Sequence, residues 1–466
     1  MKCDGVAVGA YSSPRGKGAD DREHRGRGER RVQHQIRFGT LKRLRSAILI
    51  SLVIVVASAV ALYWIAFRYD TLMSTTSVLH TLLITAYGIL VLIYLPTRII
   101  LYILYTPYPD NGFRPRITVV VPAYNEGPFI KRTLEGVARA EYPASGRQIV
   151  VVDDGSEDET GEAVRQFMKD NPGVVEFVQF KENQGKRTAM AEGVRRAKGE
   201  VVVFIDSDTI VEESALRYIV APFEDARVGG ATGKVQVENR FKNLLTRMLG
   251  VRYIMSFDFY RCTASTYGGV ICLSGVISAY RREVLERIMP GWLKQTFLGN
   301  ICTFGDDRSL TNHVLRQGYN TVYCRDSVAN TLAPETVSRL FKMLVRWNRS
   351  FVRESMILFG YLFDLKVIKK RKMLFFDSVI TCLMPFFMLS IVVSMWLRII
   401  LEPIYVVVVV ASITIMASIY MMFYVRSEKD WQFIYGIAYA FFYVLILIWI
   451  LPFATLTLRR THWGTR

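Results

Sequence analysis

The sequence predicts an α/β domain with a parallel sheet, inserted between transmembrane helices. Three observations predict it. Uncharged runs long enough to cross a bilayer stand near the start and the end of the chain. Between them, short β-branched runs alternate with helix-like segments, and the acidic motifs fall at the ends of those runs. The 466 residues are 51% hydrophobic and only 21% charged, which excludes an extended disordered protein. Six dispersed cysteines without a CxxC pair or Cys/His metal spacing exclude a small disulfide scaffold and point to a reduced compartment.

Residues 1–45 hold 12 Lys/Arg against 5 Asp/Glu in a Gly-rich stretch, and read as a disordered, solvated basic tail. Residues 46–105 read as two transmembrane helices, the uncharged runs Ser46 to Phe67 and Thr71 to Thr97. Lys42, Arg43 and Arg45 before the first of them place the N-terminus in the cytoplasm. Residues 106–335 read as a cytoplasmic α/β domain, with strands at Ile117 to Val121, Ile149 to Val152 and Val201 to Ile205 and crossover helices between them. Residues 336–372 read as amphipathic interface helices closed by Lys366, Lys369, Lys370, Arg371 and Lys372. Residues 373–466 read as a membrane cluster with runs Ser378 to Leu397, Pro403 to Val425 and Trp431 to Leu458. A full third crossing would leave Arg459, Arg460 and Arg466 outside, against the charge rule, so Pro452 is expected to break that run and turn it back toward the interface.

Polar groups at the C-terminal ends of strands are where open α/β sheets bind ligands. The first such end is Pro122-Ala123-Tyr124-Asn125-Glu126 and the second is Asp153-Asp154-Gly155-Ser156, which is also an ordinary turn sequence. The third is Asp206-Ser207-Asp208, where two hard oxygen ligands on one side of an extended strand suit Mg²⁺ or Mn²⁺ against a diphosphate. Gly185-Lys186-Arg187 places a turn and a cation at a helix start, a phosphate-binding arrangement. It is no P-loop, since Phe180 stands where that motif needs its first Gly, and a nucleotide-sugar diphosphate fits better than ATP chemistry. Gly305-Asp306-Asp307-Arg308 offers a general base for an acceptor hydroxyl, or a helix N-cap. Arg346-Trp347 starts the approach to the membrane as a site element or an interfacial anchor.

In this order, behind two spans and ahead of a membrane cluster, these motifs resemble the processive family 2 glycosyltransferases. The stretches Phe304 to Asn312 and Arg346 to Glu354, with the terminal Trp463-Gly464-Thr465-Arg466, are most similar to hyaluronan synthases and the related chitin and chitin-oligosaccharide synthases. The resemblance covers residues 46 to 466. It implies a GT-A-type nucleotide-sugar domain in a multi-pass plasma-membrane enzyme that takes UDP-sugar donors and a growing polysaccharide acceptor, with Mn²⁺ or Mg²⁺ as cofactor. It implies that Ala123, Tyr124, Glu126, Asp153 and Asp154 contact the uridine and Lys186 the donor. Asp206 and Asp208 would serve donor and metal, Asp306 would bind substrate, and Asp307 would be the catalytic base. Arg346 and Trp347 would flank diphosphate and acceptor, Ser274 and Gly275 would form an acceptor-side loop, and Trp463 and Arg466 would stand near the donor entrance. Met343 departs from the family, occupying the Gln position of its QxxRW motif.

Other readings stay open on sequence grounds. A homopolymer synthase, or a non-processive transferase acting on a lipid carrier, would share every donor motif. A transporter with a regulatory nucleotide domain is opposed by membrane runs without interior charges. No nucleic-acid partner is expected, because the basic excess lies in the tail and beside the spans.

Overall fold

The computed structural model describes residues 78–460. The basic tail, the expected span Ser46 to Phe67, and Trp463 and Arg466 lie outside them.

Seven strands of the central sheet are β1 (Ile117–Ala123), β2 (Arg147–Asp153), β3 (Val175–Gln179), β4 (Val201–Ile205), β5 (Ile210–Val211), β6 (Val228–Val237) and β7 (Ile277–Arg281). A separate hairpin, β8 (Thr296–Phe297) with β9 (Asn300–Ile301), precedes the eighth, β10 (Asn320–Thr331). The order across the sheet is β3-β2-β1-β4-β7-β6-β10-β5. The β3-β2-β1-β4 half is parallel throughout, as the alternating pattern predicts. The other half corrects that expectation. There β7 runs antiparallel to both β4 and β6, and β5 antiparallel to β10. The physical reason is connectivity. After β6 the chain runs through the helix Leu244–Ile254 and the π-helical turn Met255–Arg261 and re-enters the sheet at the end where β6 left it, so β7 runs back antiparallel to both β6 and β4.

Alternate residues of β1 feed opposite faces of the sheet. Val119 and Val121 pack with Ile149, Val151 and Val203 beneath the helix Gly127–Arg139. Val120 packs with Val202, Phe204, Met190 and Leu249 on the other side. That second cluster continues without a break into Tyr439, Leu447 and Ile450 of the apolar helices, so the domain and the helical cluster share one core.

Among the described residues three helices are long and apolar enough to cross a membrane: Thr85–Leu104, Lys372–Leu401 and Tyr405–Glu428. A fourth candidate, Phe433–Leu445 followed by Leu447–Leu456, is bent by 48°. The break expected at Pro452 therefore falls earlier, around Ile446. Pro452 lies in the first turn of the helix Ile450–Leu456, where a missing N–H costs nothing.

Candidate active site

Because β2, β1 and β4 are parallel neighbours, three of the sequence motifs open on one sheet edge. Ala123 ends β1 opposite Asp153. Asn125 takes a left-handed backbone (φ 55°), a conformation Asn tolerates better than most residues. Its N–H donates to Ser156 Oγ at 2.9 Å, and its Oδ1 accepts from the Glu157 N–H at 3.0 Å. Tyr124 is half-buried and Glu126 is buried, the Glu126 N–H donating to Thr160 Oγ1 at 2.7 Å.

Asp153 accepts from the Ser156 N–H and from Gln179 Nε2, both at 2.9 Å. Asp154 accepts from the N–H groups of Gln184 (2.8 Å) and Gly185 (3.0 Å), which ties the second motif to the turn before Lys186. Burial pushes the Asp154 carboxyl up, and these two backbone donors work against that shift. Both carboxylates are thus engaged in welding the loops into one wall.

Lys186 opens the helix Lys186–Arg196 and reaches across the edge to Asp206, Nζ to Oδ1 2.5 Å. Burial alone would depress the ammonium, but the charges of Asp206 and Asp307 overcome it and hold its pKa above the usual value. Asp206, Ser207 and Asp208 lie in a turn beyond β4 rather than on an extended strand. That turn is closed by the Thr209 N–H on the Asp206 carbonyl (3.1 Å) and by Thr133 Oγ1 on the Ser207 carbonyl (2.8 Å). Turn geometry, not the pleat of a strand, therefore sets the two carboxylates. Burial, and then the charge of Asp206, push Asp208 up to about 6.

Gly275 forms the floor. Its carbonyl accepts from the Asp206 N–H at 3.1 Å and its N–H donates to the Asp307 carboxylate. A Cβ at this position would stand 2.9 Å from Asp307 Oδ1 and 3.1 Å from Asp206 Oδ1, so only glycine leaves room for both carboxylates. Ser274 is half-buried beside it, its N–H on Thr232 Oγ1 at 3.1 Å. Asp307 lies in the first turn of the helix Asp306–Arg316. Burial raises its carboxyl to about 6, with Lys186 opposing and Asp206 reinforcing the shift.

The helix Val337–Leu362 supplies the far wall. The Arg346 guanidinium stands near Asp307, Asp306 and Asp206, and burial depresses its pKa while those carboxylates resist. Trp347 is 45% exposed, with its ring centroid 6.2 Å from that of Tyr253. Met343 packs half-buried against the apolar core.

One expected substrate contact is enclosed. Asp306 is only 3% exposed, and its Oδ1 is held by Arg187 Nε at 2.6 Å. Sequence reasoning also missed Tyr253, which neighbours both Asp208 and Arg346. Its helix reads as generic apolar sequence, and nothing local marks it. Among the described residues no three His, Cys, Asp or Glu side chains form a metal cage. Asp206 and Asp208 are a pair of hard oxygen donors whose mutual charge raises Asp208, and that suits an ion completed by phosphate and water oxygens.

Residues 115–350 match the family described as glycosyltransferase like family 2. A hyaluronan synthase of Streptococcus pyogenes is 35% identical over 276 residues, 58% of this chain, and the match spans 65% of that relative's length. An N-acetylglucosaminyltransferase of Azorhizobium caulinodans is 30% identical over 367 residues, 76% of this chain and 87% of its own. The solved structure of a Pyrobaculum calidifontis mannosyltransferase, in complex with GDP-Man and Mn²⁺, shares the fold at a TM-score of 0.57 and 22% identity. It covers 79% of this chain and 98% of the other. The domain has a GT-A-like fold.

Proposed function

The chain belongs to the glycosyltransferase-like family 2, and from that premise we propose that it is a membrane-embedded, processive, inverting glycosyltransferase. It polymerises UDP-GlcNAc and UDP-glucuronate into a β-linked polysaccharide such as hyaluronan and secretes it across the plasma membrane, its catalytic domain facing the cytoplasm. The observation that carries this is the convergence of Lys186, Asp206 and Asp307 over Gly275, with Arg346 alongside.

Asp307 Oδ accepts the proton of the acceptor hydroxyl as that oxygen attacks the anomeric carbon from the face opposite the leaving UDP. The carbon–oxygen bond to UDP breaks as the new one forms, so an α-linked donor gives a β-glycoside. Lys186 and Arg346 face the diphosphate as it gains charge. The loop wall from Ala123, Tyr124 and Glu126 to Asp153 and Asp154 cradles the nucleoside. Asp208 and Asp206 would hold Mn²⁺ or Mg²⁺, which would supply charge neutralisation at the diphosphate. Trp347 offers an aromatic face to the acceptor sugar, Ser274 and Gly275 border its binding place, and Trp463 and Arg466 serve the donor entrance.

Secretion is supported by a line of polar aromatic groups that leads from the site into the apolar helices. Tyr253 neighbours Asp208 and Arg346, and Arg252 hydrogen-bonds Tyr439 and neighbours Tyr260 and Tyr443. A second reading, a GlcNAc homopolymer synthase, is favoured by the N-acetylglucosaminyltransferase relative, which matches more of this chain than the hyaluronan synthase does.

The test is UDP release and product size from purified protein, with each UDP-sugar singly and in pairs. Long, hyaluronidase-sensitive polymer made only with both donors supports the first reading; polymer from UDP-GlcNAc alone supports the second. Asp307→Asn is expected to abolish transfer and keep UDP binding, and polymer made by this variant refutes the base assignment.

A further inference from the structure

We infer that Arg187 is a positioning residue for Asp307, acting through Asp306 and tying the base turn to the helix that carries Arg346 and Trp347. This rests on the reading of Asp307 as the base.

Arg187 follows Lys186 in the same helical turn, but its guanidinium points into the protein and is 92% covered, against a half-buried Lys186. Besides Asp306, it donates to the Trp292 carbonyl at 3.0 Å and to Gln295 Oε1 at 3.3 Å, and it lies 4.8 Å over the Trp292 ring. Gln295 passes the connection on, its Nε2 donating to Glu354 at 3.2 Å. Glu354 is fully enclosed and also accepts from Arg353 Nε (2.9 Å) and Asn312 Nδ2 (3.2 Å). Arg353 closes the loop by donating to the Phe304 carbonyl, just before the turn at Gly305.

That turn is therefore gripped on both flanks. Gly305 is left-handed (φ 77°), and a Cβ there would stand 2.7 Å from Ser350 Cβ and 2.9 Å from Arg353 Nη2. Arg187 fixes the residue after the turn, Asp306, and the next side chain is the base. Arg187 also keeps its Nη2 buried without a hydrogen-bond partner among the described residues. That unmet donor costs stability, while the guanidinium's other nitrogens hold Asp306, the Trp292 carbonyl and Gln295 at once.

The test is steady-state kinetics of UDP release in the full-length protein, with donor binding measured separately. R187Q is expected to lower kcat by about tenfold or more while donor KM and UDP affinity stay within about twofold, the split of an interaction made only in the transition state. D306N, nearly isosteric, should show the same split, and the double variant R187Q/D306N should lose less than the product of the two single losses. Wild-type kcat in either single variant, equal damage to kcat and donor binding, or multiplicative losses in the double variant would overturn the positioning role. If R187Q does not fold, D306N alone carries the kcat-against-KM test. D307N run in parallel separates the two failures: activity in D307N sinks the base reading itself, whereas an inactive D307N beside a normal R187Q sinks only the inference about Arg187.

Discussion

At Gly275 a single hydrogen atom in place of a side chain lets two carboxylates share one floor. Gly275→Ala is expected to cut transfer at least about tenfold by pressing Asp307 and Asp206 aside, with little loss of fold, since the methyl group meets polar atoms of the cleft rather than core. Circular dichroism and UDP release on the same preparation check this. His313 gives a second prediction at this scale. Burial, and then Arg316 and Arg187, push its imidazole down to about 4 from an ordinary 6.5. A base with a depressed folded pKa leaves the unfolded chain binding more protons between those values. Its contribution is constant above pH 6.5 and is lost as pH falls toward 4. Thermal unfolding should show a smaller acid-side decline in His313→Asn than in the parent protein. Lys186, Asp206, Asp208 and Asp307, each singled out as a polar group at a strand end or helix start, converge on one cleft. Nothing in a GDD string tells that Asp306 is the carboxylate that faces inward.

The helix Val337–Leu362 shows how one element carries several functions. Arg346, Ser350, Arg353 and Glu354 recur at the helical spacing and form one stripe toward the base turn. The apolar Met343 and Val345 pack against the core. If the proposed polymerase reading holds, Trp347→Ala is expected to shorten the polymer while UDP release falls less than about threefold, because the exposed ring would offer the acceptor a sliding face. Gel filtration of the product checks it. The strand β10 carries a similar surprise. A register slip between Cys324 and Val328 frees Arg325 from the ladder, and its Nε reaches Asp258 at 3.0 Å. No hydrophobic pattern announces a bulge, so this contact was invisible in the sequence.

For the molecule as a whole, Asp258 joins the sheet to the apolar helices. Its carboxylate accepts from Tyr323 Oη (3.0 Å), Arg325 and Ser427 Oγ (2.7 Å), with Lys234 Nζ 3.6 Å away and bridging to Glu428 at 3.1 Å. Asp258→Ala leaves two cations without their shared partner and is expected to cost roughly 3–5 kcal/mol, measured as lost stability in detergent. The parallel half of the sheet, the apolar helices and the gathering of polar groups at strand ends were determined by the sequence alone. Each depends on periodicity or on residues close in the chain, and local physics reads both. Tertiary structure alone decided the antiparallel β7, the turn at Asp206–Asp208, the break near Ile446 and the enclosure of Asp306 by Arg187. Those depend on which distant segments meet, and a partner 119 residues away leaves no mark on the local pattern.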